Sequence, residues 1–168
     1  GLIVQVGEMV IYEACMQCKS WHDMGYDNLR VSVNLSTKQF GHASLMKCVR
    51  KSLDDSGLPP AFLEIEITES VLAQDTDQAI SILKELREIG VYLSIDDFCT
   101  GYSSLSYLMH FPIHYLKIDR TFVRDVTTNK DHANITTAII AMAKSLNLET
   151  VAEGVETDDQ LALIRSIG

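Results

Sequence analysis

Strand-like and helix-like segments alternate along the whole chain, and this alternation limits the folds that the chain can adopt. We predict strands over residues 29–35, 62–68, 91–95 and 115–119, and the start of a fifth strand over residues 149–152. Apolar residues at helical spacing predict helices through residues 3–20, 45–53, 80–89, 104–109, 135–146 and 157–167, and residues 127–134 read as a polar loop. Strands that alternate with helices form a parallel sheet covered by helices. The chain is therefore an α/β protein, either an open doubly wound sheet or part of a (β/α)8 barrel.

The side-chain pattern inside the predicted strands favours the barrel. Successive strand residues point to opposite faces, and over residues 63–68 leucine and isoleucine alternate with glutamate and threonine. An open doubly wound sheet would be apolar on both faces, whereas a polar inner face fits a barrel lumen with a site at its mouth. Because a full barrel takes about 250 residues, we expect residues 1–168 to form one domain holding about two-thirds of a barrel. Glu153 breaks the alternation of the fifth strand, so that strand either contains a bulge or ends early.

Polar residues stand at the carboxyl end of each predicted strand. They are Asn34, Glu66, Asp96, Lys117 and Glu153. Ligands bind at this edge in parallel α/β folds, and carboxylate and amide oxygens are the ligands that hard divalent cations prefer. The pattern predicts a two-metal phosphoesterase centre, in which metal ions activate a water molecule and a lysine steadies the charged oxygens.

Each of these residues also has a simpler explanation when it is taken alone. The Asp96-Asp97 pair would be a solvated turn in which Asp97 caps the next helix, because aspartate favours turns and caps. Asn34 would cap the turn after its strand, and Lys117 would form an ion pair with Asp119. Only the gathering of all these groups at one sheet edge favours a metal site over these explanations.

Five ordered motifs lie between residues 34 and 157. They are Asn34-Leu35-Ser36; Glu66-Ile67-Thr68-Glu69-Ser70; Asp96-Asp97-Phe98 with Thr100-Gly101-Tyr102-Ser103-Ser104-Leu105; Lys117-Ile118-Asp119-Arg120 with Phe122-Val123; and Ala152-Glu153-Gly154-Val155-Glu156-Thr157. In these motifs the chain resembles the EAL-domain family of cyclic di-GMP phosphodiesterases. The resemblance implies a modified TIM (β/α)8 barrel that hydrolyses cyclic di-GMP to linear pGpG in bacterial signalling, with Mg²⁺ or Mn²⁺ as cofactor.

The resemblance implies a division of the metal ligands between two ions. Asn34, Glu66 and Asp96 would bind one ion. Asp96, Asp97 and Glu153 would bind the second, so that Asp96 is shared. One further ligand of the family is the glutamate of its Glu-Ala-Leu signature. That signature is absent from this sequence, and we expect it upstream of Gly1.

The remaining matched residues receive supporting roles from the same resemblance. Lys117 would contact the catalytic water or the phosphate, and with Glu153 it forms the predicted catalytic pair. Asp119 would contact a guanine of the substrate. Glu69 would anchor the loop after the third predicted strand, and Glu156 would support the site.

Two further departures from the family pattern bear on activity. Cys99 stands where the family usually has a glycine after Asp-Phe. A glycine adopts positive φ freely, whereas a cysteine there costs about 1 kcal/mol or more. The last strands of the family's barrel, with a glutamine motif near the site, would lie beyond Gly168. A catalytically weak or inactive cyclic di-GMP receptor of the same fold is therefore the alternative function, and an unrelated Mg²⁺-dependent barrel enzyme that uses Lys117 for carbon chemistry is a weaker third.

Charge and cysteine usage bound the partners and the compartment. The net charge of -9 argues against a binder of DNA or RNA, which would present a basic face. The four cysteines complete neither a zinc site nor a disulfide framework, so we expect a reducing cytoplasm. From the resemblance we also expect a homodimer. We expect sensory or cyclase-type domains elsewhere in the parent protein, which is either free in the cytoplasm or anchored to a membrane through other regions.

Overall fold

The computed structural model describes residues 1–72, 75–99 and 108–168. Its strands are β1 (Val31–Leu35), β2 (Leu63–Thr68), β3 (Tyr92–Phe98), β4 (Tyr115–Ile118) and β5 (Glu149–Ala152). The helices of the described ranges are α1 (Leu2–Asp23), α2 (Thr37–Phe40), α3 (Leu45–Ser56), α4 (Glu69–Leu72), α5 (Thr76–Ile89), α6 (Arg120–Arg124), α7 (Lys130–Ser145) and α8 (Asp158–Ile167), with one 3₁₀ turn at Pro60–Phe62. None of these helices is long and apolar enough to span a bilayer.

The five strands form one sheet in the order β1-β2-β3-β4-β5, and every neighbouring pair is parallel. An open doubly wound sheet reverses its strand order at a switch point. The order of these five strands contains no reversal, as in a segment of a (β/α)8 barrel. The predicted α/β barrel architecture is therefore confirmed in the sheet that the structure describes.

The two faces of the sheet differ as the alternation predicts. The outward side chains of β2, at Leu63, Ile65 and Ile67, are fully buried and belong to the hydrophobic core beneath the helices. The inward side chains of the same strand are Glu64 and Glu66, which are also buried. Buried carboxylates need charged or hydrogen-bonding partners. Arg30 pairs with Glu64 near the amino ends of the strands, and Lys117 pairs with Glu66 near their carboxyl ends.

Glycines end two of the helices, and short polar side chains cap the starts of two. Gly57 follows α3 with φ 68° and Gly90 follows α5 with φ 98°, a backbone conformation that glycine adopts without steric cost. The Asp75 carboxylate accepts a hydrogen bond from the backbone N–H of Gln78 and caps α5. The predicted capping box of the last helix, Thr157 with Gln160, is present.

Several predicted boundaries are wrong; β1 begins at Val31 instead of residue 29, and α5 begins at Thr76 instead of residue 80. β3 continues to Phe98 instead of ending at Ile95, and β4 ends at Ile118, because Asp119 caps the unpredicted helix α6. The predicted loop over residues 127–134 is helical from Lys130, since the Asn129 side chain accepts two backbone N–H bonds and starts α7 early. The predicted helix over residues 104–109 lies mostly outside the described residues.

Candidate active site

Lys117 on β4 joins the carboxyl ends of three strands. Its Nζ donates to Glu66 Oε1 of β2 at 2.7 Å and to Glu153 Oε1, just past β5, at 2.6 Å. The lysine side chain is only 12% exposed. Burial disfavours its charged form, but the hydrogen bonds with Glu153 and Glu66 outweigh burial and raise the pKa of Lys117. The ammonium therefore stays protonated, and the predicted alternative of a Lys117–Asp119 ion pair gives way to these two contacts.

Glu153 reaches Lys117 because β5 ends early. The strand stops at Ala152, and Gly154 follows Glu153 with φ 71°. Of the two explanations that the sequence allows for the parity of Glu153, the early strand end is confirmed. The turn at Gly154 lets the residue before it leave the strand alternation.

Asp96 and Asp97 lie in an irregular part of β3. The pairing of β3 with β4 shifts register between Ile95 and Phe98, and Asp97 has φ 54°. In a regular strand two consecutive side chains point to opposite faces, and the shift breaks that rule. Asp96 Oδ1 accepts a hydrogen bond from the Asp97 backbone N–H at 3.0 Å. The register shift thus keeps both carboxyls at the carboxyl edge of the sheet.

Burial, with the help of nearby carboxylates, raises the pKa of both aspartates. Burial raises the pKa of Asp96, and repulsion from Glu153 adds to it while Lys117 opposes it. Burial also raises the pKa of Asp97, with further contributions from the nearby Asp119 carboxylate and from Glu153. Burial therefore disfavours the charged form of both aspartates, and nearby carboxylates act in the same direction.

Asp119 has two roles in the structure. Its Oδ1 accepts a hydrogen bond from the Thr121 backbone N–H at 2.9 Å and so begins α6. Its carboxyl also shares a hydrogen bond with that of Asp97. Hydrogen bonds from Thr121 lower the pKa of Asp119, whereas burial and the Asp119 carboxyl raise the pKa of Asp97. Sequence reasoning missed this contact, because it placed Asp119 inside a strand.

The other predicted site residues lie around this cluster. Asn34 stands opposite Glu66 in the register of β1 and β2, and its side chain is exposed. Glu69 Oε2 accepts a hydrogen bond from the Cys99 backbone N–H at 3.3 Å, which anchors the end of β3 to the start of α4. Glu156 is exposed. The structure thus brings Glu66, Lys117 and Glu153 into direct contact and leaves these three at its edges.

The donor set fits a hard divalent cation. Glu66, Asp96, Asp97 and Glu153 offer carboxylate oxygens near the single ammonium of Lys117, and carboxylates in excess favour Mg²⁺ or Mn²⁺. The Ser94 hydroxyl on the same face is fully buried, and among the described residues it has no hydrogen-bond partner. Within those residues no three His, Cys, Asp or Glu side chains converge on one metal position, and Lys117 lies between two of the candidates.

Ser94 was not among the predicted site residues. It stands opposite Glu66 in the register of β2 and β3 and opposite Tyr115 in that of β3 and β4. Its parity with Asp96 on β3 was the available signal, because residues two apart on a strand share a face. A serine without charge gave no reason to select it from the sequence.

Comparison with known proteins gives one family over the full length of the chain. The model described as "EAL domain" matches residues 1–168. The cyclic di-GMP phosphodiesterase NbdA of Pseudomonas aeruginosa is 48% identical over 165 residues, which cover 98% of this chain and 21% of that protein. The chain spans about a fifth to a quarter of the length of the curated relatives it matches.

Solved structures share the fold at high similarity. The structure titled "PaMucR Phosphodiesterase, c-di-GMP complex" is 47% identical with a TM-score of 0.96, and the match covers 100% of this chain and 68% of that one. A manganese and cyclic di-GMP complex of Klebsiella pneumoniae BlrP1 is 29% identical with a TM-score of 0.82, over 96% of this chain and 42% of that one.

Proposed function

The chain belongs to the EAL domain family, whose model matches all of residues 1–168. From this premise we propose that it hydrolyses one phosphodiester bond of cyclic di-GMP and releases linear pGpG. The observation that carries the proposal is the contact of Lys117 with Glu66 and Glu153, beside Asp96 and Asp97, at the carboxyl edge of a parallel sheet. Relatives of this fold are named as phosphodiesterases or were solved with cyclic di-GMP.

We propose Mg²⁺ or Mn²⁺ as the cofactor. Asn34, Glu66 and Asp96 would hold one ion, and Asp96, Asp97 and Glu153 would hold the second. Bound divalent ions supply Lewis-acid stabilisation of phosphoryl oxygens and lower the pKa of a water molecule. The fit rests on oxygen donors in excess over the single ammonium, and on relatives crystallised with manganese or calcium.

Lys117 contributes a fixed positive charge. Because its pKa is raised, it holds its proton at Nζ and donates hydrogen bonds to the oxygens around it. A donor aimed at an oxygen that gains charge in the transition state contributes about 10²–10³ in rate. Lys117 would therefore steady the attacking hydroxide or the phosphate, while Glu66 and Glu153 hold its ammonium in place. Asp119, at the start of α6, would accept from a guanine of the substrate.

The setting of this domain is also part of the proposal. Because the chain spans only about a fifth of the first relatives, we propose that sensory or cyclase-type domains accompany it in a cytoplasmic signalling protein. We also propose a homodimer. Analytical ultracentrifugation with metal ion and cyclic di-GMP should show a dimer, and a monomer at high concentration would contradict it.

A receptor that binds cyclic di-GMP without cleaving it is the second candidate. Cys99 favours it, because this residue follows the aspartate pair with φ 67°, and an L-residue with a side chain is strained in that conformation. A strained turn next to Asp97 would displace a metal ligand and weaken turnover more than binding.

Product analysis separates the two functions. The full-length protein is incubated with cyclic di-GMP and Mg²⁺ or Mn²⁺, and pGpG is measured by chromatography. We expect product that disappears with chelator and falls more than about a thousandfold in Asp96→Asn, the upper range for loss of one stabilising group. Asp54→Asn, an exposed aspartate on α3, is the matched control and keeps wild-type turnover. Saturable binding without product would support the receptor, and full turnover in Asp96→Asn would contradict the two-metal assignment.

A further inference from the structure

Gln160 in the first turn of α8 is 6% exposed and uses both ends of its amide. Its Oε1 accepts hydrogen bonds from the backbone N–H groups of Glu156 at 2.7 Å and Thr157 at 2.9 Å. Its Nε2 donates to the carbonyl oxygen of Arg124 at 2.8 Å. Gln160 therefore joins the loop after β5 to the last residue of α6.

Capping alone does not require a glutamine at this position. In a capping box the third helical residue accepts hydrogen bonds from backbone N–H groups, and glutamate or glutamine serves equally. The bond to Arg124 is different, because only the amide of glutamine offers a donor there. It satisfies the last carbonyl of α6, a five-residue helix whose final carbonyls lack partners within the helix.

The same loop contacts α6 at its other end as well. Gly154 packs against Arg120, the first residue of α6, and a Cβ atom on Gly154 would lie 2.7 Å from the Arg120 Cβ. The loop over residues 153–157 thus touches α6 at Arg120 through Gly154 and at Arg124 through Gln160. Glu153 begins this loop, and Asp119 caps the helix that the loop contacts.

A second capping-box glutamine lies after β1, the strand that carries Asn34. Gln39 is also buried, and its Oε1 accepts from the backbone N–H and the hydroxyl of Ser36. Its amide fills a notch in α1, since a Cβ on Gly7 would lie 1.5 Å from the Gln39 Nε2. In both places a buried glutamine connects the segment that follows a strand to a neighbouring helix, α6 for Gln160 and α1 for Gln39.

We propose that Gln160 is a positioning residue, whose bond to the Arg124 carbonyl fixes Glu153 relative to α6 and thereby to Lys117 and Asp119. The proposal rests on the proposed function of this site. Gln160 lies outside the set of residues that contact substrate or metal, and it acts only through the loop that carries Glu153.

The test compares Gln160→Glu with Gln78→Glu in the full-length protein. Gln160→Glu keeps the two capping bonds, but in place of the donor to Arg124 it puts a buried carboxylate oxygen that repels the Arg124 carbonyl. Gln78 has the same place in the first turn of α5 and is exposed, so its variant is the control. We expect Gln160→Glu to lower kcat about 10-fold to 100-fold and to weaken Mn²⁺ binding, measured by electron paramagnetic resonance, by a similar factor. KM for cyclic di-GMP should stay near wild type, and the melting temperature should fall in Gln160→Glu but not in Gln78→Glu, because only the first variant buries a charge.

Hydrogen exchange supplies a readout that does not depend on turnover. Backbone amides of residues 153–157 and 120–126 should exchange faster in Gln160→Glu and remain protected in Gln78→Glu. Wild-type kcat, Mn²⁺ affinity and exchange in Gln160→Glu would reduce Gln160 to a helix cap and overturn the proposal. A fall in melting temperature with unchanged kcat would also overturn it. A wild-type protein without hydrolysis would refute the proposed function alone, because the exchange experiment would still decide whether Gln160 joins the loop to α6.

Discussion

The two ends of the inner face of the sheet each hold one cation, the buried Lys117 and the more exposed Arg30, and the ends differ in charge balance. Near the carboxyl ends Lys117 faces Glu66, Glu153 and the aspartate pair. Near the amino ends Arg30 pairs with Glu64 at 3.7 Å. Glu64 and Glu66 are two residues apart on β2, so one strand supplies a carboxylate to each end. The same kind of contact thus occurs in two different electrostatic settings.

The amino-end cluster satisfies its own groups. The Arg30 guanidinium carbon lies 3.7 Å from the centroid of the Tyr92 ring, and its Nη1 donates to the Tyr115 hydroxyl at 2.8 Å. The rings of Tyr92 and Tyr115 are stacked at 5.7 Å. One cation, one carboxylate and two aromatic rings form a set without excess charge, whereas the carboxyl end keeps negative charge in excess. In barrels the residues at the carboxyl ends of the strands carry the chemistry, and those at the opposite end contribute to stability. Here the two ends differ in the same way, because the amino-end charges are balanced and the carboxyl-end carboxylates outnumber their cation.

The largest expected effect is on Lys117. In chelator, Lys117→Met should lower the free energy of unfolding by about 3 kcal/mol, because it leaves the buried Glu66 carboxylate without its cation. Urea denaturation measures this change. Lys51→Met removes the exposed pair with Asp55 on α3 and should lower the free energy of unfolding by less than about 1 kcal/mol. Equal losses in the two variants would contradict the contrast between a buried and an exposed lysine.

Arg30→Met tests the other end of the comparison. The variant should lower the free energy of unfolding by about 1–2 kcal/mol, since it loses the stacking on Tyr92 and the bond to Tyr115. The lost pair with Glu64 adds less than that of Lys117 with Glu66, because it is longer, at 3.7 Å, and its arginine is more exposed. Turnover per folded molecule should remain at the wild-type level. Arg30→Lys keeps the charge but not the planar stacking. Its free energy of unfolding should therefore lie between those of the wild type and Arg30→Met in urea denaturation. A loss of kcat in folded Arg30→Met would erase the functional difference between the ends.

The next prediction concerns the backbone strain at Cys99, near the carboxyl end of the sheet. Because its φ is 67°, Cys99→Gly should be more stable than Cys99→Ala by about 1 kcal/mol. Both variants remove the thiol, so their difference reports the backbone alone. Thermal denaturation measures it, and pGpG formation shows whether relief of strain also raises turnover. Equal stability of the two variants would mean that the turn relaxes around a side chain.

The smallest expected effect is a pH dependence at the amino end. The Leu93 backbone N–H donates to His114 Nδ1 at 3.1 Å, so this nitrogen must stay unprotonated. Burial lowers the pKa of His114, repulsion from Arg87 and Arg30 lowers it further, and Glu149 opposes them. Because the pKa of His114 is lower in the folded protein, the unfolded chain takes up a proton first as the pH falls. The contribution of His114 to the free energy of unfolding is therefore present above the ordinary pKa of 6.5 and is lost as the pH falls below that value. Urea midpoints should therefore fall less between pH 7 and pH 5 in His114→Asn than in the wild type.

The sequence predicts the architecture well because its signals are local. Alternation in residues 63–68 identified a two-faced strand, and the glycines after α3 and α5 marked their ends. The short helix α6 gave no such signal, because five residues are too few for a hydrophobic period. Asp119 caps this helix, but the strand pattern had placed Asp119 inside β4.

The candidate site was predictable as a set of residues but not as a set of contacts. Strand ends placed Glu66, Lys117 and Glu153 at one edge. Their pairing depends on the register between strands and on the bulge after Ile95, which are set by long-range packing. For the same reason the contact of Asp97 with Asp119 and that of Gln160 with Arg124 became visible only in the folded chain.

The uninterrupted strand order also bears on how the chain folds. Each strand pairs with the strand that precedes it in the sequence, so that Tyr115 of β4 meets Ser94 of β3 before Glu149 of β5 is needed. Contacts between neighbouring units close faster than contacts between distant ones. The sheet can therefore grow by one strand and one helix at a time as the polypeptide leaves the ribosome. On this route Glu66 and Lys117 meet first, and Glu153 joins them only when β5 has paired with β4.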